Sequence, residues 1–166
     1  MLVLIASGVT EKLRSILAGD AGVRATLPIV DDLERVNLPA FHGKQVIAQN
    51  ASPDLSEHSS VSKYPVLYVY CGKLLNILRE KFRTFSGEAH MTVEVRVSQD
   101  RLDELETRVH MYVDAVLQVL DQNRGDWGDG VFYGGTYEVV FGAAKHGGRN
   151  FIQIAKITFV AQISVS

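Results

Sequence analysis

The sequence predicts an α+β domain: a mainly antiparallel sheet packed against two helices, with a long irregular loop in the N-terminal half of the chain. Three observations lead there. Strict alternation of apolar and polar residues at 91–98 marks a half-buried strand. An apolar stripe at helical spacing from Leu102 to Leu120 marks a long helix directly behind it. A final apolar run from Phe151 to Val165, entered through the turn "HGGRN", marks a closing hairpin.

Length and composition fit that class. The 166 residues are enough for one domain, 1–166, with a sizeable core. A hydrophobic content of 46% argues against wholesale disorder. The net charge of −2 argues against bare nucleic acid as the main partner, because phosphate binding needs a basic surface. A single cysteine, Cys71, rules out an intrachain disulfide, and its setting in "PVLYVYC" reads as a small buried hydrophobe. The N-terminus lacks the positive region of a signal peptide, and no apolar run reaches the ~18 residues that span a bilayer. A soluble protein made inside the cell, without a membrane partner, is therefore expected.

Leu2, Ile5, Val9, Leu13, Ile16 and Leu17 recur at steps of three and four, which predicts a first helix stopped by "AGDAG". Residues 20–62 read as a long irregular segment or arm. It mixes short apolar pieces with Pro28 and Pro39, a short strand in "KQVIAQN", and an exposed serine-rich loop, "NASPDLSEHSSVS".

"YPVLYVYC" is apolar on both alternating faces, as a strand covered on both sides would be. "KLLNILREKFR" either extends that strand or turns into a short amphipathic piece. In the next strand Met91, Val93, Val95 and Val97 form a dry face, and Thr92, Glu94, Arg96 and Ser98 a polar one. Ser98 or Asp100 caps the long helix, with Asp103 and Glu104 in its first turn. "NRGDWGDG" reads as the loop that ends it. "FYGGTYEVVFGAAK" then pairs with the final strand across a glycine turn.

Chemistry is sparse. His42, His58, His90, His110 and His146 show no helical metal spacing, so no metal is expected. "YGGTY" and "KHGGRNF" are flanked by strands, whereas a phosphate cradle needs a following helix, so no cofactor is expected either. The acids around Asp100, Asp103, Glu104 and Glu106 suit a solvated helix start, and "GDWGDG" lacks the spacing of a calcium loop. No catalytic residue is assigned. Trp127, between glycines, is either tucked back on the domain or offered to a partner. The final strand reads as an uncovered edge, a template for pairing with another chain.

The segments "VEVRVSQDRLDELETRVHMYVDAVLQVL" and "GVFYGGTYEVVFGAAKHGGRNFIQIAKITFVAQ" resemble the small neck proteins of tailed bacteriophages, the tail-terminator or head-to-tail joining proteins. The resemblance covers roughly residues 60–166 and rests on element order and strand style. It implies a structural, non-enzymatic virion protein, made in the host cytoplasm. Copies would form a ring, a hexamer in that family, that caps the tail tube and joins it to the head-connector or stopper protein. DNA would only pass through the lumen. On that reading Glu94 and Arg96, with Lys145, His146 and Arg149 at the turn and Trp127, are the candidate subunit or partner contacts. The competing expectations are another virion component, such as a tail-tube or baseplate protein, and a small-molecule-binding domain with a pocket between the long helix and the sheet.

Overall fold

The longest strand of the molecule is its last, and it lies inside the sheet rather than at its edge. The computed structural model describes residues 4–53 and 64–166. In chain order these form α1 (Ala6–Ala18), α2 (Val23–Glu34), a 3-10 turn (Gly43–Gln45), β1 (Val46–Ala48), β2 (Val66–Leu75) and β3 (Phe85–Gln99). There follow α3 (Leu105–Gln122), β4 (Gly125–Gly128), β5 (Val131–Tyr133), β6 (Glu138–Phe141), β7 (Lys145–Gly147) and β8 (Asn150–Val165). The sheet runs β1-β2-β3-β8-β5-β4, with β6 and β7 also on β8. β1 and β2 pair in parallel; the other ladders are antiparallel. The α+β class is as expected, with three helices among the described residues in place of two.

β3 and β8 pair without interruption from Phe85 opposite Val165 to Gln99 opposite Phe151. The far side of β8 takes β7 at residues 150–152, β6 at 155–158 and β5 at 161–163. The expected uncovered edge is thereby overturned, because both sides of β8 are hydrogen-bonded within one chain. "FYGGTYEVVFGAAK", expected as one strand, is divided among β5, β6 and the approach to β7. Its glycines explain the division. Gly135 takes φ +95°, and Gly142 lies so close to β8 that a Cβ would sit 2.8 Å from the Ile154 carbonyl oxygen.

One sheet face carries the core. Val93 stands opposite Ile157, Met91 opposite Phe159 and Ala89 opposite Ala161. Over them lie Val109, Val113, Val116 and Leu120 of α3 and Val9, Leu13 and Leu17 of α1, all buried. Both helices thus turn their expected stripes inward. α1 begins at Ala6, and Leu2 of its expected stripe lies outside the described residues. The start of α3 needs correction. Ser98 belongs to β3, and neither it nor Asp100 caps the helix. Glu104 precedes it at φ 64° with no side-chain cap, Leu102 is exposed ahead of it, and Glu106 is the acid in its first turn.

The arm expected at 20–62 needs correction over 23–34, which form α2. Pro28 hid the helix. Val23, Thr26, Leu27 and Val30 keep helical spacing and turn inward, while Arg24 and Pro28 are exposed, so the carbonyl that loses its donor faces water. α2 docks on α3 with the Thr26 hydroxyl donating to the Ala115 carbonyl at 3.2 Å. Its end is held by Asp31, whose carboxylate accepts the N–H groups of Val36, Asn37 and Leu38 at 3.1, 2.9 and 2.8 Å. Arg35 and Asn37 adopt left-handed φ of 58° and 63° in that turn. Asp31→Ala is expected to cost about 1–2 kcal/mol in chemical denaturation, because three amides lose one acceptor together. The serine-rich loop expected at 50–62, His58 included, lies mostly outside the described residues. No helix among the described residues is long and apolar enough to cross a membrane.

Candidate functional site

The second sheet face begins with an alternation that puts Thr92, Glu94 and Arg96 away from the helices. Cross-strand neighbours then define their surroundings: Tyr68 and Lys156 flank Glu94, and Val66 and Ile154 flank Arg96. Arg96 is fully buried and Glu94 is 5% exposed. The Arg96 guanidinium lies over the Tyr68 ring, 4.1 Å from its centroid, and its Nε donates to Glu94 Oε2 at 3.0 Å. It also donates to the Ala51 carbonyl. Tyr70 donates its hydroxyl to Glu94 Oε1 at 2.7 Å, and Lys156 Nζ stands 3.4 Å from the same oxygen.

Electrostatics follow from this packing. Burial alone would raise the Glu94 carboxyl, but hydrogen bonds from Arg96 and Tyr70 and the charges of Arg96 and Lys156 hold it below its ordinary value. The Tyr70 phenol is pushed up to about 12, by burial first and then by Glu94. Glu94 and Arg96 were expected to meet a neighbouring subunit from an open polar face. They are instead closed into one chain, where they fix the register of β2, β3 and β8.

Trp127 sits at a bulge where β4 shifts register against β5. Its Nε1 donates to the Asn123 carbonyl at 2.7 Å, and its ring lies 5.6 Å from Tyr133 and 6.0 Å from Phe159. Of the two readings open from sequence, the side chain takes the first and tucks back. Lys12 clamps the same hairpin to α1, with Nζ 3.2 Å from the Trp127 carbonyl oxygen and 2.8 Å from Asp129. The turn is Asp129–Gly130, both at positive φ (53° and 81°). An Asp-Gly pair is a strong hairpin signal, and "GDG" already carried it where a loop was expected. A Cβ at Gly130 would lie 2.1 Å from the Ser164 carbonyl oxygen. Gly130→Ala is expected to lose about 1–3 kcal/mol in thermal unfolding from backbone strain.

Lys145, His146 and Arg149 are exposed, as expected, on the β7–β8 hairpin. Gly148 opens its turn at φ +69°, and the His146 ring packs 4.6 Å from Phe151. The six candidate residues thus do not form one site. Two are buried on the sheet, one is folded onto the core edge, and three share a turn.

Other reactive groups are accounted for locally. Cys71 is half-buried, and burial pushes its thiol up, away from thiolate reactivity. His90 lies 3.2 Å from Glu88 along the same strand, and His110 packs edge-on against Phe141. Among the described residues no group of three or more His, Cys, Asp or Glu side chains is placed to hold a metal ion. A groove of 1380 Å³ lies between α1, the β4–β5 hairpin and the end of β8, lined by Ile5, Lys12, Trp127, Val131 and Val165 among others. The ligand-site alternative placed a pocket between the long helix and the sheet instead. Lys12, the ammonium at this groove, is already engaged by Asp129 and the Trp127 carbonyl.

Sequence reasoning missed the surface that stands out in three dimensions. The β2–β3 connection, residues 76–84, exposes Ile77 at 56%, Leu78 at 63% and Phe82 at 89%. Exposed apolar residues also occur at Ile29 and Leu33 on α2, and at Val140 and Phe141 on β6. The signal was present in "NILREKF", where three large apolar residues alternate with charges too irregularly for either helix or strand. No protein-family model and no curated protein matches this sequence.

Proposed function

We propose that the chain is a structural subunit of the phage neck, a tail terminator that closes into a ring, caps the tail tube and joins it to the head connector. The observation that carries this reading is the distribution of exposed apolar side chains. Two or more stand together on each of three separate elements: the β2–β3 connection, α2 and β6. A ring subunit needs two different lateral surfaces and further ones for axial partners, because heterologous contacts close a ring only when each copy offers unlike faces. Large exposed apolar residues mark such surfaces when they cluster. The element order that resembles the neck proteins is the second support, and the α+β architecture agrees with what that resemblance implies. On this reading the protein is made in the host cytoplasm, resides in the virion and has no catalytic role. DNA passes through the lumen without being held.

Native mass spectrometry and electron microscopy of the purified full chain test the proposal. A closed ring of fixed copy number that binds tail-tube protein is the expected result. A monomer at high concentration that no tube protein recruits overturns it.

A further inference from the structure

The β2–β3 connection is a built feature rather than loose chain. Leu78 N–H donates to the Ser86 carbonyl, Thr84 N–H to the Val165 carbonyl, and Ser86 N–H to the Asn76 side chain. Within it Phe82 adopts φ +67° and Arg79 φ +48°, conformations that bulky residues rarely take. The result is a firm loop that holds Ile77, Leu78 and Phe82 outward. Around them stand Arg79, Lys81 and Arg83, with Glu80 as the acid among them, 4.0 Å from Arg83. The Lys81 ammonium lies 5.5 Å from the Phe82 ring centroid.

The opposite end of β3 has the opposite character. Between Gln99 and Glu106 the chain exposes Asp100, Asp103, Glu104 and Glu106, with Leu102 56% exposed among them. Gln99 shapes this turn, its amide donating to the carbonyls of Arg101 and Asp103 at 2.7 and 2.6 Å. Asp100, Asp103 and Glu104 line a concavity of 340 Å³, with Arg101 and Arg108 as the cations beside them. β3 has 15 residues, and at about 3.3 Å per residue its ends stand roughly 45 Å apart. A chain cannot bring its own basic loop to its own acidic turn.

We infer that the 76–84 loop of one copy docks on the 100–106 turn of the next, head to tail, with Phe82 and its apolar neighbours at the centre and the charges forming the rim. An apolar centre with a complementary charged rim is how protein interfaces are built. An anionic bilayer would also suit a basic loop with an apolar tip, but a second copy suits both that loop and the acidic turn with exposed Leu102 at the far end of β3. This inference rests on the ring reading for its closure and on the two ends of β3 for its contact.

Charge reversal on the full chain tests it. All four positions are exposed, so circular dichroism and the melting temperature should stay unchanged. Arg79→Glu with Arg83→Glu makes both ends acidic and should raise the half-assembly concentration at least about tenfold, read by light scattering. Asp100→Lys with Asp103→Lys makes both ends basic and should do the same. Mixing the two variants, or combining all four substitutions in one chain, should restore assembly.

If rings form and neither reversal affects them, the contact is overturned and the ring reading stands. If the chain instead forms open polymers that each reversal dissolves, the contact stands and the ring falls. If the wild-type chain stays monomeric, both are overturned. If it stays monomeric but sediments with phosphatidylcholine–phosphatidylserine vesicles in a way that Phe82→Asp abolishes, the loop is a membrane contact and the inference is overturned.

Discussion

Glu94→Ala is expected to destabilise the protein by about 3–5 kcal/mol, measured by chemical denaturation, because it strands a fully buried guanidinium without its carboxylate. Tyr70 and Lys156 lose the same acceptor. The double replacement Glu94→Leu with Arg96→Met should be less damaging than the single one, since an apolar pair of similar volume removes both charges together. Acid should expose the same dependence. The folded carboxyl titrates below its ordinary value of 4.5, so its stabilisation is complete above that value. It is lost as pH falls through the lower folded value. Glu94→Gln should therefore flatten the fall in stability below pH 4.5, while leaving carboxylates elsewhere to titrate as before. An unchanged acid limb would show that the ion pair contributes nothing to the pH dependence.

Phe159→Ala should cost a similar amount, about 3–5 kcal/mol, by a different route. Phe159 is 4% exposed at the middle of β8, with its ring 4.9 Å from Tyr133 and 6.0 Å from Trp127. Truncation leaves a cavity under the β4–β5 hairpin that rigid strands on both sides of β8 cannot fill. Trp127 is the only tryptophan, so its fluorescence reports this site alone. The folded variant should emit further to the red than the wild type, whereas a core replacement on α2, such as Leu27→Ala, should lower stability and leave the emission of the folded state unchanged. Equal spectra for Phe159→Ala and wild type would contradict the placement of Trp127 on this cluster.

The parts of this fold that were legible in the sequence share one property: their pattern is decided by a single apolar face. The stripe from Leu105 to Leu120 and the alternation at 91–97 each see one core, so spacing alone reports them. α2 obeyed the same rule, but Pro28 sits on its exposed side, and a proline there breaks the local rule without breaking the helix. β8 was read correctly as a strand and wrongly as an edge. Its apolar face tells which side meets the helices, but nothing in one strand's pattern says how many neighbours pair with it. The polar character of Glu94 and Arg96 likewise suggested solvent. A buried pair and a solvated pair have the same letters, and it is Tyr68, Tyr70 and the Ala51 carbonyl, distant in sequence, that close over this one. The loop at 76–84 was legible only in part: "NILREKF" breaks both periodicities, but the exposure of its apolar residues is a property of the fold around them.

These corrections move the proposed basis of assembly from a strand edge to a loop. The sheet satisfies β8 within one chain, and the outward features proposed to meet are the apolar and basic loop at one end of β3 and the acidic turn at the other. Hydrogen–deuterium exchange on the full chain, assembled at high concentration and then diluted until it dissociates, tests this most directly. Amides of residues 150–165 should stay protected throughout, and the change on dissociation should fall on residues 76–84 and 100–106. Loss of protection along β8 on dilution, with the loop and the acidic turn unchanged, would contradict the account.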